Sequence, residues 1–522
     1  MKSRPVLLAL LVSLVPLALL VWRFNFLCDD AFISYRYARN LSQGLGLVFN
    51  PGVEPPVEGY TNLLWILVCA VFERFQLDVG LLSRVTSVGL AIVCLAAMIR
   101  LIETQALAVT RRHQFCAPLF AGLLVGLHPA FATWATSGME TMAFTACLFL
   151  GFERLMLTAK EPRTLQSAVL LSAAALLRAD GVVACAAVLL AVLVFGFLES
   201  RRDLRKSTLQ VSAVVVIVVT AQIGFRFFYH GDWIPNTAHA KVSLGSAIAW
   251  KRGAIYVAHF LVLFPAIASA PLLALMRSSK ANQLRSFALA SLIPFLAIYL
   301  WYLAVGGDYM AFGRFLVPAI PFAGLLFGYA CVGAEDWKPS KLRLALMSGL
   351  LATQILPAFG WSVAPESLLA SLNFRLHKSY ENQVEGWKGL AKGVERGREK
   401  GLMLKRITRA GDSMVAGAVG AQAYYSDLFI FDRLGLVTRE VALREVEHTA
   451  RAAGHDKGVP AEFFLKDRPT IMHVDVSRGK GRGSMTVPAE LEQHYEAVEF
   501  PASDGRKLRL LVLRGSHLAP AQ

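Results

Sequence analysis

The sequence predicts a polytopic α-helical membrane protein of about eleven transmembrane helices, followed by a soluble, extracytoplasmic α/β domain. Three observations lead there. Of 522 residues, 55% are hydrophobic and 17% charged, and the mean hydropathy is +0.49, which is too apolar for soluble domains or for a disordered chain. Uncharged stretches approaching the roughly 20 residues that cross a bilayer recur down to residue 362. After it they stop, and apolar runs of strand length take over.

The first apolar stretch, 5–22, follows Met-Lys-Ser-Arg and has no small-x-small cleavage site behind it, so it reads as an uncleaved first span. Further spans are expected near 81–99, 116–131, 139–157, 165–180, 181–198, 209–229, 254–276, 287–305, 315–333 and 344–361. The run at 61–72 is too short to cross and is expected as an interfacial helix. Charge tests this layout. The segments it places inside hold 18 basic and 7 acidic residues, against 11 and 10 in the rest of 1–362. Lys and Arg thus gather on one side, as the positive-inside rule requires. The overall +16 therefore records membrane orientation and gives no reason to invoke nucleic acid.

Residues 1–362 are accordingly expected as the transmembrane domain, with a first outer loop at about 23–80, and 363–522 as the soluble domain. That domain contains LFIFD (428–432), TIMHVDV (470–476) and KLRLLVL (507–513), each a candidate strand. All seven cysteines (28, 69, 94, 116, 147, 185, 331) precede it, so disulfides cannot staple it, and no Cys/His spacing marks a zinc site.

The first outer loop opens with Cys28-Asp29-Asp30-Ala31-Phe32-Ile33-Ser34-Tyr35-Arg36-Tyr37-Ala38-Arg39-Asn40. Adjacent aspartates cannot face the same way, so one is expected to point into a cavity while the other caps the following helix. From Asp30 onward, Phe32, Ile33, Tyr37 and Leu41 suit an amphipathic interfacial helix with Arg36 and Arg39 on its polar side. The same loop carries Glu58, Tyr60 and Asn62, and the remaining outer turns hold His128, Glu140, Arg178 with Asp180, Asp232 with Asn236 and Lys241, and Asp308 with Arg314. Taken singly each has an ordinary use: a cap, a turn ion pair, a helix-end residue. Ionisable groups at membrane depth are costly and mark cavities or pathways, and here acids and bases converge on one face. Such a cavity suits a lipid-linked phosphate, since Arg grips phosphate and a carboxylate can deprotonate a hydroxyl or steady an oxocarbenium-like sugar. No Walker motif is present, and glycosyl transfer from a polyprenyl-phosphate sugar is the chemistry that fits.

The series DDAFISYRYARNLSQGLGLVFNPG, VEGYTNLLW, SGMET, LRADG, GDWIPNTAHAK, GGDYMAFGRFLVPAIP, FDRLGLVTREVA and GHDKG runs in order from residue 29 to 458. It resembles the polyprenyl-phosphate-arabinose-dependent arabinofuranosyltransferases, the group that includes terminal β-(1→2) arabinofuranosyltransferases and type IV pilin arabinosyltransferases. The resemblance implies a C-type (GT-C) glycosyltransferase fold in a bacterial inner membrane, a polyprenyl-phosphate sugar donor, and a glycan or pilin acceptor. It implies Asp29 and Asp30 as the leading aspartates, one of them the catalytic carboxylate, with Glu58, Tyr60, Asn62, Glu140, Arg178, Asn236, Lys241, Asp308 and Arg314 around the donor; the polar set itself adds Tyr35, Arg36, His128 and Asp180 as donor-binding candidates. Asp432, His455 and Lys457 fall in the matched C-terminal stretches and are expected to meet the acceptor. A divalent cation, Mg or Mn, is compatible with the carboxylates, but no spacing demands one. Two alternatives stay open: a GT-C enzyme moving another lipid-linked sugar, mannose or aminoarabinose, to protein or lipid A, and a transporter or flippase of lipid-linked sugar, against which the one-sided polar set and lack of a repeat both count.

Overall fold

In the computed structural model the described residues are 4–107, 115–157, 163–241, 246–276, 282–331, 341–375, 379–445, 456–478, 489–501 and 506–519. The chain opens with α1 (Arg4–Arg23), continues through the short helices α2 (Asp29–Ser42) and α3 (Leu63–Arg74), and returns in α4 (Val79–Leu107). Next come α5 (Cys116–Gly126), α6 (Pro129–Thr136), α7 (Thr141–Met156), α8 (Thr164–Leu177), α9 (Gly181–Leu198) and α10 (Arg202–His230). After α11 (Asn236–Lys241), the bundle is completed by α12 (Ala247–Leu263), α13 (Pro265–Leu275), α14 (Asn282–Val305), a 3-10 turn at Arg314–Ala319 leading into α15 (Ile320–Cys331), and α16 (Lys341–Ile355).

Each expected span overlaps helix, but they are not all single rods. Among the described residues six helical segments are long and apolar enough to cross a membrane, or up to eight if each bent pair counts as one span, against the eleven expected. The expected span at 116–131 breaks between α5 and α6 by 56°, and that at 254–276 breaks between α12 and α13 by 86°. Both breaks have a local cause, because Pro129 and Pro265 start the second helix of each pair and cannot donate to the turn before them. The molecule is a multi-pass membrane protein.

Helix α3 has the short length expected of an interfacial element, burying Trp65, Ile66 and Cys69 while Leu67, Val71 and Phe75 stay exposed. Helix α2 departs from expectation. It is a helix from Asp29, yet its expected polar side is covered: Arg36 is buried, and Arg39 donates to the Tyr424 carbonyl of the C-terminal region at 3.0 Å. The C-terminal region lies over it.

That region begins with α17 (Glu366–Ser371) and the long α18 (Gln383–Ile407), followed by β1 (Ser413–Ala416), α19 (Ala421–Ser426), β2 (Phe429–Asp432), β3 (Ile471–Arg478), β4 (Tyr495–Pro501) and β5 (Arg506–Leu513). The sheet order is β2-β1-β3-β5-β4, parallel across β2, β1 and β3 and antiparallel across β3, β5 and β4. The three strands read from hydrophobic runs are β2, β3 and β5. A small core of its own (Val415, Phe464, Met472, Tyr495, Leu511) lies within the sheet region. Met414, Val419 and Ile430, however, belong to the same apolar core as the membrane helices, so burial is continuous across the two regions.

Candidate active site

The aspartate pair divides its work in an unexpected way. Asp29 does cap a helix, but it is α19 of the C-terminal region and not its own: its carboxylate accepts from Gly420 N at 3.2 Å and Ala421 N at 2.9 Å. A carboxylate at a helix N-terminus satisfies free amides and meets the positive end of the dipole. Burial still pushes the Asp29 carboxyl up to about 6. Gly420 is needed for this approach, since a Cβ there would lie 2.0 Å from the Asp29 carbonyl oxygen. Asp30 turns the other way, and its carboxylate lies 3.5 Å from Nη1 of Arg314.

Around Arg314 the turns between the helices converge. Its Nε lies 3.1 Å from Asp308 Oδ2, its Nη1 points at the Met139 sulfur at 3.2 Å, and its guanidinium sits 4.6 Å from the Phe315 ring centre. Arg178 also sits against that ring, at 4.7 Å from its centre. Arg178 is held in a fork by Asp180 (2.9 and 3.0 Å), reaches Glu140 at 3.3 Å and meets the Tyr302 hydroxyl at 3.2 Å. Tyr302 also donates to Asp180 and stacks on Phe315 with ring centres 4.8 Å apart. Asn62 closes the group, donating to Glu140 at 3.0 Å and to Ser34 at 2.9 Å. Asp30, Asn62, Glu140, Arg178, Asp180, Asp308 and Arg314 are thus one connected set.

The two arginines differ in how far they are spent. Arg178 has four good donor contacts. Arg314 has none to a carboxylate with hydrogen-bond geometry: its Nε and Asp308 Oδ2 are both buried and, though 3.1 Å apart, unaligned. A buried guanidinium with uncommitted donors beside a carboxylate that is 24% exposed is suited to receiving an anion. Beside Asp180 and Tyr302 lies a shallow groove, lined otherwise by apolar groups such as Phe144, Val183, Ile298, Trp301 and Pro318.

Other expected residues stand elsewhere. Arg36 is not free for a phosphate. Its Nε donates to the Phe49 carbonyl at 2.8 Å, Nη1 to the Ala423 carbonyl at 2.9 Å and Nη2 to the Leu428 carbonyl at 2.6 Å, so it ties α2 to both ends of the α19–β2 connection. Burial lowers it to about 9. Tyr35 bonds Ser83 at 2.6 Å and the Gly138 carbonyl at 3.1 Å inside the core. Glu58 pairs with Arg226 at 2.5 Å and is pushed up to about 7 by burial, against the pull of that arginine. Tyr60 meets His230 at 3.0 Å. Asn236 donates to the carbonyls of Gly435 (2.7 Å) and Leu436 (2.9 Å), which again fastens the C-terminal region down. His128 caps α6 through Ala130 N and is stacked among Phe260 and Phe264, inside the bundle.

The expected acceptor contacts also need correction. Asp432 is wholly buried and spends its carboxylate on the amides of Leu434 and Val437, shaping the loop that meets Asn236; burial raises it to about 6. Lys457 donates to the Ala442 carbonyl at 2.7 Å, within its own domain, while neighbouring Asp456 forks onto Arg252 of α12. His455 and the side chain of Lys241 lie outside the described residues. Sequence reasoning missed Tyr302, Phe315, Asn50 and Arg226. Each is a single polar or aromatic residue in or near an apolar stretch, with no spacing to mark it. Among the described residues no three His, Cys, Asp or Glu side chains are placed to hold a metal ion together.

Three comparisons bear on this geometry. Residues 377–515 match a family model described as a domain of unknown function (DUF8728). Over 273 residues, 50% of this chain, the sequence is 28% identical to the terminal beta-(1->2)-arabinofuranosyltransferase of Mycobacterium tuberculosis (strain ATCC 25618 / H37Rv); the matched stretch spans 42% of that relative's length. The crystal structure of ArnT from Cupriavidus metallidurans bound to undecaprenyl phosphate aligns over 100% of both chains with a TM-score of 0.54 at 13% identity. Its apo form aligns over 98% of this chain and 99% of its own, at 0.54 and 14%. A helical bundle, short helices at one end of it and a C-terminal region beside them are thus arranged as in a solved structure: the chain has the fold of ArnT.

Proposed function

We propose that this chain is a glycosyltransferase that moves D-arabinofuranose from a polyprenyl monophosphate to an acceptor, a cell-surface glycan or pilin, at the outer face of a bacterial cytoplasmic membrane. The observation that carries the reading is the facing pair of Asp30 and the under-satisfied Arg314; an apolar groove opens at Asp180 and Tyr302, the partners of Arg178. The sugar assignment draws on the likeness to the mycobacterial arabinofuranosyltransferase, and the lipid assignment on ArnT having been seen with undecaprenyl phosphate.

In this reading the prenyl chain follows the groove along Val183, Ile298 and Trp301, which brings the phosphate to Arg314 with Arg178 behind it. The acceptor hydroxyl attacks the anomeric carbon while its proton passes to the Asp30 carboxylate. The bond from that carbon to the phosphate oxygen breaks, and polyprenyl monophosphate leaves with the electron pair. Arg314 contributes where charge develops, on the departing phosphate. Arg178, tied to Asp180 and Glu140, holds the Phe315 ring and supports Arg314 through it. Among the described residues no three His, Cys, Asp or Glu side chains stand ready to hold a Mg or Mn ion.

The test is transfer from radiolabelled polyprenyl-phosphoryl-arabinose by membranes carrying the full chain. Asp30→Ala and Arg314→Ala are each expected to abolish it, and transfer at the unmutated rate by both variants would place the chemistry elsewhere. Mass spectrometry of surface glycans and pilin from a deletion strain reads the sugar; loss of a hexose in place of a pentose would overturn the arabinose assignment.

A further inference from the structure

The loop that carries Asp308 and Arg314 is held in an unusual backbone conformation. Gly306, Gly307 and Gly313 have φ of 94°, 69° and 61°, and Phe312, which has a Cβ, has φ 59°. A non-glycine residue is disfavoured in this region and persists only where its surroundings hold it. What holds Phe312 comes from far along the chain. Its amide donates to Oε1 of Gln383, the first residue of α18, at 2.6 Å.

Gln383 is 2% exposed and is itself fixed from three directions. Its Oε1 also accepts from Arg375 Nη2 at 2.9 Å, and its Nε2 donates to His259 Nε2 at 2.9 Å, while His259 Nδ1 donates to the Leu372 carbonyl at 3.1 Å. A primary amide can accept two bonds at its oxygen while its NH2 donates to a neutral imidazole. The local sequence prepares the place. Asn382 caps α18 by accepting from the amides of Val384 and Glu385, which fixes the helix start. Gly386, one turn on, leaves the gap that Arg375 crosses; a Cβ there would lie 1.4 Å from Nη1 of Arg375.

The far part of α18 meets the other side of the site. Gly397 and Gly401 pack against α19, whose N-terminus Asp29 caps. One rigid helix therefore touches both the loop bearing Arg314 and the seat of the aspartate pair.

We infer that Gln383 is a positioning residue and α18 the strut on which it acts: by holding the Phe312 amide, Gln383 fixes the 306–313 loop so that Arg314 faces Asp30. This rests on the proposed function only for what Arg314 does there; the placement of the loop stands on the contacts alone. The experiment uses the full chain in lipid nanodiscs, with hydrogen–deuterium exchange on the peptide covering 306–315 and transfer rates in parallel. Gln383→Leu fills the space but offers no bond, and is expected to speed exchange of that peptide about tenfold and slow transfer about as much. Gln383→Glu keeps the acceptor for Phe312 and is expected to restore both to within about threefold. The inference is overturned if Gln383→Leu leaves exchange at 306–315 unchanged, or if both variants speed exchange equally along the whole chain, as plain destabilisation would. Should the loop respond as expected while Arg314→Ala transfers at full rate, the positioning stands and the phosphate role of Arg314 falls.

Discussion

Two buried arginines on the same side of the bundle do opposite things. Arg36, in the seam between α2 and the C-terminal region, gives its donors to three backbone carbonyls and the Asn50 side chain and lies on the Phe49 ring. Arg314, in the polar end of the bundle, is just as buried, yet faces two carboxylates without an aligned hydrogen bond to either. Type, charge and burial are the same. The difference is whether the partners are fixed backbone atoms that fill every direction or side chains that leave directions open, and that separates a group that holds the fold from one available to a ligand.

The sharpest way to break the comparison is to truncate both. Arg314→Ala is expected to lower transfer at least about a hundredfold, the usual cost of losing a donor aimed at developing charge, with the folded fraction in detergent little changed. Arg36→Ala is expected to cost about 2–4 kcal/mol of stability, because it orphans several buried carbonyls, and to lower activity only as folded protein is lost. Thermal midpoints and rates per folded molecule read both. Were the two variants to lose rate per folded molecule equally, the contrast drawn from hydrogen bonding would be wrong.

The aspartates offer the same contrast within one dipeptide. Asp30→Asn removes the proton acceptor and is expected to slow transfer by about 10²–10⁴, whereas Asp29→Asn retains an oxygen for the α19 amides and should stay within about threefold. Equal losses would return both residues to the reacting centre. A smaller effect is expected at the seam: a Cβ at Gly401 would lie 2.8 Å from the Gln422 carbonyl and from the Tyr425 Cβ, so Gly401→Ala is expected to cost about 1–3 kcal/mol by overpacking, read as a lower thermal midpoint.

What was legible in the sequence follows a physical line. Apolar stretches and charge asymmetry are local signals, so each expected span found a helix; the 56° and 86° breaks at Pro129 and Pro265 were written in the prolines but read through as continuous spans. In the site, the residues that converge lie in short turn motifs where glycine and polar residues interrupt the apolar stretches: Glu140 in SGMET, Arg178 and Asp180 in LRADG, Asp308 and Arg314 in GGDYMAFGR. Arg36 misled because amphipathic periodicity says which face is polar but not what covers it, and here a region almost four hundred residues away does. Gln383 and Tyr302 gave no signal, since a polar residue at a helix start or near the end of a span is ordinary until its partners are known.

The last contrast concerns pH at the seam. Burial raises the Asp29 carboxyl to about 6 despite the two amides it accepts from, against about 4 in an unfolded chain. A raised carboxyl binds its proton more tightly when folded, so its contribution is fully present below pH about 4, is lost as pH rises through about 6, and is constant above. Asp29→Asn cannot ionise. The thermal midpoint of the unmutated chain, relative to that of Asp29→Asn, is therefore expected to fall between pH 4.5 and pH 7.5, by a few degrees at most for a chain of this size. A difference that stays constant, or that moves in favour of the unmutated chain as pH rises, would mean that the helix terminus of α19 more than offsets the desolvation of the charge. In that case the seam would resemble the Arg314 cluster, with charge matched to charge, and the distinction between the two regions would rest on hydrogen-bond alignment alone.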